Sequence, residues 1–253
     1  MKKTLFFLCL SISTFAAAET NFIAINATTE DVIKAIGPSL NCEVTPCCTF
    51  NFALSLIGYD CDILQDEENP LLLEPGIDIS LESHKDPQTP KSWMALSVVW
   101  YSKLLMQKMR KQSLQNYLRL FSYGNQNISG NGNFTLSHLS SSLKISPKEQ
   151  VLFLKKLVLH TLPVSSYALA MTKAIIPHKV LDSGWTLYGK TGSGFEEDEA
   201  HKIAWYVGWV EKKEEIFIFA LLIKDMEVFP TIEERQKLVL QFFEDFNLPH
   251  ING

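Results

Sequence analysis

The chain has 253 residues, 46 % of them hydrophobic and 20 % charged, with a formal net charge of −5. That length and composition fit one large globular domain, or two intimate subdomains, with enough chain to bury a core. The mild acidity and the absence of long Lys/Arg runs argue against a nucleic-acid surface.

The chain opens with MKKTLFFLCLSISTFAAAET: a basic start (Lys2, Lys3), an apolar run through Phe15, and Ala16-Ala17-Ala18. This pattern predicts a secretory signal peptide over 1–18, cut before Glu19, and a domain over 19–253. Cys9 lies inside the apolar run without the small residues that precede a lipidated cysteine. No other stretch is long enough to span a bilayer. The expectation is an exported, soluble protein, periplasmic in a bacterium with two membranes.

NFIAIN (21–26) alternates as a short strand, and Pro46 to about Tyr59 reads as an apolar helix. Residues 62–92 are acidic, Pro-rich and irregular, which predicts a long surface excursion. SVVWYSKLLMQKM (97–109) and SLQNYLRLF (113–121) have helical spacing, and residues 125–133 form a Gly/Asn-rich loop. Lys108, Arg110 and Lys111 cluster near a helix end, as a solvated C-terminal turn does. Ser146-Pro147-Lys148-Glu149 is a capping box with Pro at the first helical position, opening a helix through about His160. A weaker helix follows over about 164–175. The period then changes, and 185–190, 203–211 and 215–223 read as three strands, the last two joined by a tight turn at 212–214. Thr231 and Glu234 make a second capping box, for a terminal helix through about Phe246. The order predicts an α+β architecture: an antiparallel sheet packed on helices, with a helical insertion.

Without Cys9, the cysteines are Cys42, Cys47, Cys48 and Cys61. Export makes disulfides their default use, and no His nearby supports a zinc site. Two arrangements stand. Cys48 is in a disulfide, or Cys48 faces a cleft while its neighbour Cys47 points away. In the second case Cys42–Cys47 pairs across a short loop and Cys61 is a free, buried thiol.

Lys-Thr-Gly at 190–192 is weak alone. Taken with Ser97-Val98-Val99, Tyr123-Gly124-Asn125 and phrases such as PKSWM, YGNQNISG, SSLKIS and YVGWVEK, in order and at matching intervals, it is strong. From about residue 40 to 247 the chain resembles class D (oxacillinase-type) β-lactamases. The resemblance implies the serine β-lactamase and penicillin-binding transpeptidase-like fold, β-lactam recognition, and neither cofactor nor metal. It also implies roles. Ser97, with Val99 in its motif, relays protons to the leaving nitrogen; Lys190, Thr191 and Arg235 hold the substrate carboxylate; and the backbone N–H groups of Cys48 and Ser193, beside Gly192, form an oxyanion hole. These assignments agree with the needs of acyl transfer: a nucleophile, a base, an oxyanion hole and a cationic clamp.

The departures are as informative. The family reads Pro-Cys-Ser-Thr-Phe-Lys where this chain reads Pro46-Cys47-Cys48-Thr49-Phe50-Asn51. Cys48 replaces the nucleophilic serine. Asn51 replaces the lysine that the family carbamylates as general base, and His138 stands where a tryptophan holds that carbamate. A thiol ionises more readily than a hydroxyl, and a helix start favours the anion, so Cys48 can attack unaided. Release of a thioester needs an activated water, which Asn51 cannot supply; His138 is the substitute base if its ring reaches the site. The expectation is therefore an exported β-lactam-recognising protein with slow or lost hydrolysis. The alternative is a non-catalytic pseudoenzyme that binds or senses a β-lactam or a cell-wall peptide; a D-Ala-D-Ala peptidase would need the same missing base. The oligomeric state is not legible.

Overall fold

The computed structural model describes residues 18–72, 87–139, 142–196 and 201–244. The leader expected over 1–18 lies almost wholly outside these residues. The described chain begins with strand β1 (Glu19–Asn26), which pairs with β2 (Val32–Ile36). Then come helices α1 (Asn51–Asp60), α2 (Pro90–Leu96), α3 (Val99–Met109), α4 (Lys111–Phe121), α5 (Pro147–Val158) and α6 (Ser166–Ile175). The chain closes with β3 (His178–Val180), β4 (Thr186–Phe195), β5 (Lys202–Lys212), β6 (Glu215–Lys224) and helix α7 (Ile232–Glu244). The strands form one antiparallel sheet in the order β2-β1-β6-β5-β4-β3. The predicted three-strand run is therefore consecutive, as β4, β5 and β6.

The sheet is covered on both faces, which explains the continuous apolar run of β5. Ile23, Ile25, Trp205, Val207, Trp209, Ile218, Ala220 and Leu222 face the helical side and join the cluster built on α1, α3, α5 and α6. Their neighbours Phe22, Ala24, Ala204, Tyr206, Phe219 and Leu221 face Val239 and Phe243 of α7. The period-2 alternation thus separates two apolar sets. Burying Val239 and Phe243 stabilises the α7 dock by about 1.5–3 kcal/mol each. Helix α1 is apolar all round, and Asn51 through Tyr59 are buried, as expected of a helix lying in the core. Both predicted capping boxes form. Ser146 Oγ accepts from the Glu149 N–H at 3.3 Å, and Thr231 Oγ1 from that of Glu234 at 3.1 Å.

Three expectations change. The excursion over 62–92 contains α2, opened by Thr89 and Ser92 in a reciprocal cap with Pro90 at the first position. The helix predicted from Ser97 begins at Val99, and Ser97 is the left-handed C-cap of α2 (φ 58°, ψ 45°). Strands β2 and β3 were not expected. Both are short edge strands without full burial, so they carry no apolar alternation.

Candidate active site

The stretch at 45–51 is shaped by its backbone before its side chains. Cys47–Phe50 is one 3-10 turn leading directly into α1. Cys47 has φ 49°, a left-handed conformation that a non-glycine residue rarely holds, and Ser97 across the site has φ 58°. The surroundings hold the stretch in place. The Trp205 indole N–H donates to the Thr45 carbonyl at 2.8 Å, and Thr45 Oγ1 donates to the His138 carbonyl at 2.8 Å. Val44 bridges Ile145, so residues 142–146 of the SSLKIS segment lie alongside.

The two cysteines diverge as adjacent residues should. Cys47 is 1 % exposed, and burial pushes its thiol well above the usual range. Cys48 is half-buried. The Cys42–Cys47 disulfide does not form: Cys42, Cys47, Cys48 and Cys61 are all free, with Cys42 exposed and Cys47 under the turn. Cys47 points instead at the Thr45 carbonyl, 3.9 Å from its Sγ. Cys61 is half-buried beside the Tyr117 hydroxyl.

Strand β4 brings Lys190, Thr191, Gly192 and Ser193 to the turn. The strand runs on to Phe195, so Lys-Thr-Gly lies within it rather than at its end. Gly192 permits the approach. A Cβ there would stand 3.0 Å from the Pro46 carbonyl and 3.1 Å from Cys47 Cβ. Lys190 is 2 % exposed, and its Nζ donates to Ser97 Oγ and, at 3.0 Å, to the Thr191 carbonyl. Burial lowers its pKa first; the Arg235 cation adds to this, while Cys48 opposes it. Lys190 therefore touches Ser97, and Cys48 in the neighbouring turn acts on it electrostatically, with half-buried Val99 at the start of α3 just beyond Ser97.

Arg235, in the first turn of α7, reaches the same edge but is heavily committed. Its Nη1 donates to the Gly192 carbonyl at 2.9 Å and the Trp205 carbonyl at 3.0 Å. Its Nη2 donates to Ser193 Oγ at 2.7 Å, and its Nε to the Pro230 carbonyl at 3.0 Å. One N–H of the fork is left, beside an exposed Ser193.

Asn51, expected at the place of the general base, is held by neutral hydrogen bonding. Asn51 is fully buried, and its Oδ1 accepts from Ser102 Oγ at 3.1 Å. Ser102 Oγ accepts in turn from the Trp93 indole N–H at 2.9 Å. No member of this chain takes a proton near neutral pH. His138 does not supply the base either. It is 1 % exposed, its ring lies 5.5 Å from that of Phe50, and burial, with Lys103 nearby, lowers its pKa to about 3. It is a neutral core residue, neither a surface histidine nor a proton acceptor at Cys48. Asn51 Nδ2 and His138 Nδ1 are buried without a hydrogen-bond partner among the described residues.

Sequence reasoning missed Ser102, which carries no motif, and gave Trp93 only as part of a phrase. Both are found through the fold, because α2 and α3 fold back on α1. A cavity of about 630 Å³ lies elsewhere, between Lys179–Asp182 and the Glu233–Glu244 face of α7.

Residues 24–244 match the model of the penicillin binding protein transpeptidase domain. The chain is 39 % identical to "Beta-lactamase OXA-9" of Klebsiella pneumoniae over 192 residues, 71 % of this chain and 70 % of that protein. It is 35 % identical to "Beta-lactamase OXA-1" of Escherichia coli, over 82 % of this chain and 77 % of the other. Among solved structures it superposes on the OXA-427 class D β-lactamase with a TM-score of 0.80 and 31 % identity, covering 89 % of this chain and 98 % of that one. With the fold, the strand-borne Lys-Thr-Gly and the Ser97–Lys190 contact in place, the chain belongs to the class D β-lactamase family.

Proposed function

We propose that this protein is an exported class D relative that captures a β-lactam covalently at Cys48 and releases it slowly. The carrying observation is the neutral Trp93–Ser102–Asn51 chain in the position of the general base. The protein also keeps the Ser97–Lys190 hydrogen bond, with Cys48 acting on Lys190 electrostatically. Attack forms the S–C bond at the lactam carbonyl and opens the ring, so the whole antibiotic stays attached. The backbone N–H groups of Cys48 and Ser193 receive the developing oxyanion, and Lys190, Thr191 and the spare Arg235 N–H receive the carboxylate. Gly192 lets strand and turn come close enough for both donors to address one carbonyl. Hydrolysis of the thioester lacks a positioned base, which typically costs about 10²–10⁴ in rate. The leader over 1–18 supports export, and no helix among the described residues is long and apolar enough to cross a membrane.

The same missing base favours a second reading, a binder of β-lactams or cell-wall peptides that turns nothing over. Mass spectrometry after incubation with benzylpenicillin distinguishes the two. A persistent adduct of the full antibiotic mass at Cys48, lost in Cys48→Ala, is expected. Rapid turnover without an adduct refutes slow release, and binding without either leaves the non-covalent binder.

A further inference from the structure

The nucleophile still needs somewhere to send its proton, and Asn51 and His138 are both closed to it. We propose that Lys190 is the base that takes the Cys48 proton. This assignment rests on the reading of Cys48 as the nucleophile, and it gives Lys190 a task beyond holding a carboxylate.

The hydrogen-bond inventory of Lys190 carries the argument. An amine nitrogen has hydrogen-bonding directions for three partners. Two are taken, by Ser97 Oγ and the Thr191 carbonyl. No carboxylate pairs with Lys190 among the described residues, although the side chain is 2 % exposed. A buried ammonium without a counter-ion is costly. A neutral amine is not: it donates both N–H groups to the two partners it has and keeps a lone pair for the third direction. Strand β4 packs on the turn that carries Cys48: a Cβ at Gly192, two residues along the strand from Lys190, would stand 3.1 Å from Cys47 Cβ. The ionisable groups that act on Lys190 are Cys48, from that turn, and Arg235, from α7. Cys48 bears the only transferable proton of the two. It lies within electrostatic reach of Nζ rather than in hydrogen-bond contact, as catalytic pairs often do before substrate closes the site. Burial, which lowers the lysine pKa, brings the amine nearer to working range.

The step balances within the site. The Cys48 Sγ–H proton passes to Lys190 Nζ, and the sulfur forms the S–C bond at the lactam carbonyl. The C–N bond breaks. The proton returns from Nζ through Ser97 Oγ, already in contact with it, to the lactam nitrogen. No second reactant is consumed. Ser97, left-handed at the end of α2, has its hydroxyl in contact with the Lys190 amine.

The test separates a base from a fixed cation. Arginine keeps the charge but does not give up its proton in proteins. Lys190→Arg and Lys190→Ala, both checked for folding, are expected to form the benzylpenicillin adduct at least about 100-fold more slowly than wild type. Ethylamine is expected to restore Lys190→Ala by tenfold or more, following the titration of the added amine, and to do nothing for Lys190→Arg. Acylation by Lys190→Arg within threefold of wild type overturns the proposal, because a cation alone would then suffice; so does absence of rescue in folded Lys190→Ala. A second measurement needs no β-lactam. Iodoacetamide labelling of Cys48 at pH 7, read on its own peptide, should fall about tenfold in Lys190→Met, and equal labelling overturns the proposal. If wild type forms no adduct yet labelling depends on Lys190, the covalent-capture reading fails and the Cys48–Lys190 pair stands.

Discussion

Lowering the pH should destabilise this protein through His138. In the folded state its pKa falls from 6.5 to about 3, chiefly because the ring is buried against Phe50. The unfolded chain binds a proton near pH 6.5 while the folded one refuses it. The sign follows. Stability is fully present above about pH 6.5, and falls with pH until the folded ring protonates near 3. One pKa unit is worth about 1.4 kcal/mol, so going from neutral to pH 5 costs about 2 kcal/mol through this residue alone. The ring is too buried for solvent screening to reduce that figure much. A domain of ordinary stability holds about 5–15 kcal/mol, so the loss is readily measured. Urea unfolding at pH 7.5 and pH 5.0, on wild type and His138→Phe, isolates the contribution. Wild type should lose about 2 kcal/mol more than the variant over that interval. Equal losses in the two proteins would refute the reasoning and show that His138 protonates in place.

Two further outcomes follow from the same geometry. Asn51→Lys, His138→Trp and Cys48→Ser together should restore β-lactam hydrolysis, measured with a chromogenic cephalosporin, by the roughly 10²–10⁴ that a positioned base contributes; a folded but inert triple variant would show that more than the base was lost. Arg235→Ala should lower the urea midpoint by an amount equal to about 2–4 kcal/mol, since it strips donors from the Gly192, Trp205 and Pro230 carbonyls. An unchanged midpoint would mean those bonds contribute nothing net.

The fold class, the order of the last three strands and both capping boxes were legible in the sequence. They rest on local chemistry: apolar runs about ten residues long, rich in β-branched and aromatic residues, a Ser or Thr three positions before Glu, a Pro at the first helical position. The family was legible for the same reason, through short words with fixed spacing. The free state of the cysteines was not legible. Pairing depends on where two Cβ atoms point, and the left-handed turn at Cys47 sends its thiol under the chain while Cys42 stays at the surface. The fate of the base pocket was half legible. The sequence by itself raised the expectation that Asn51 and His138 stand where the family carries lysine and tryptophan. Only the tertiary structure decided what fills the space, because Trp93 and Ser102 reach Asn51 through helices that fold back from forty and more residues away. It also decided that His138 is neutral, since a pKa is set by what surrounds a ring in space and not by its neighbours along the chain.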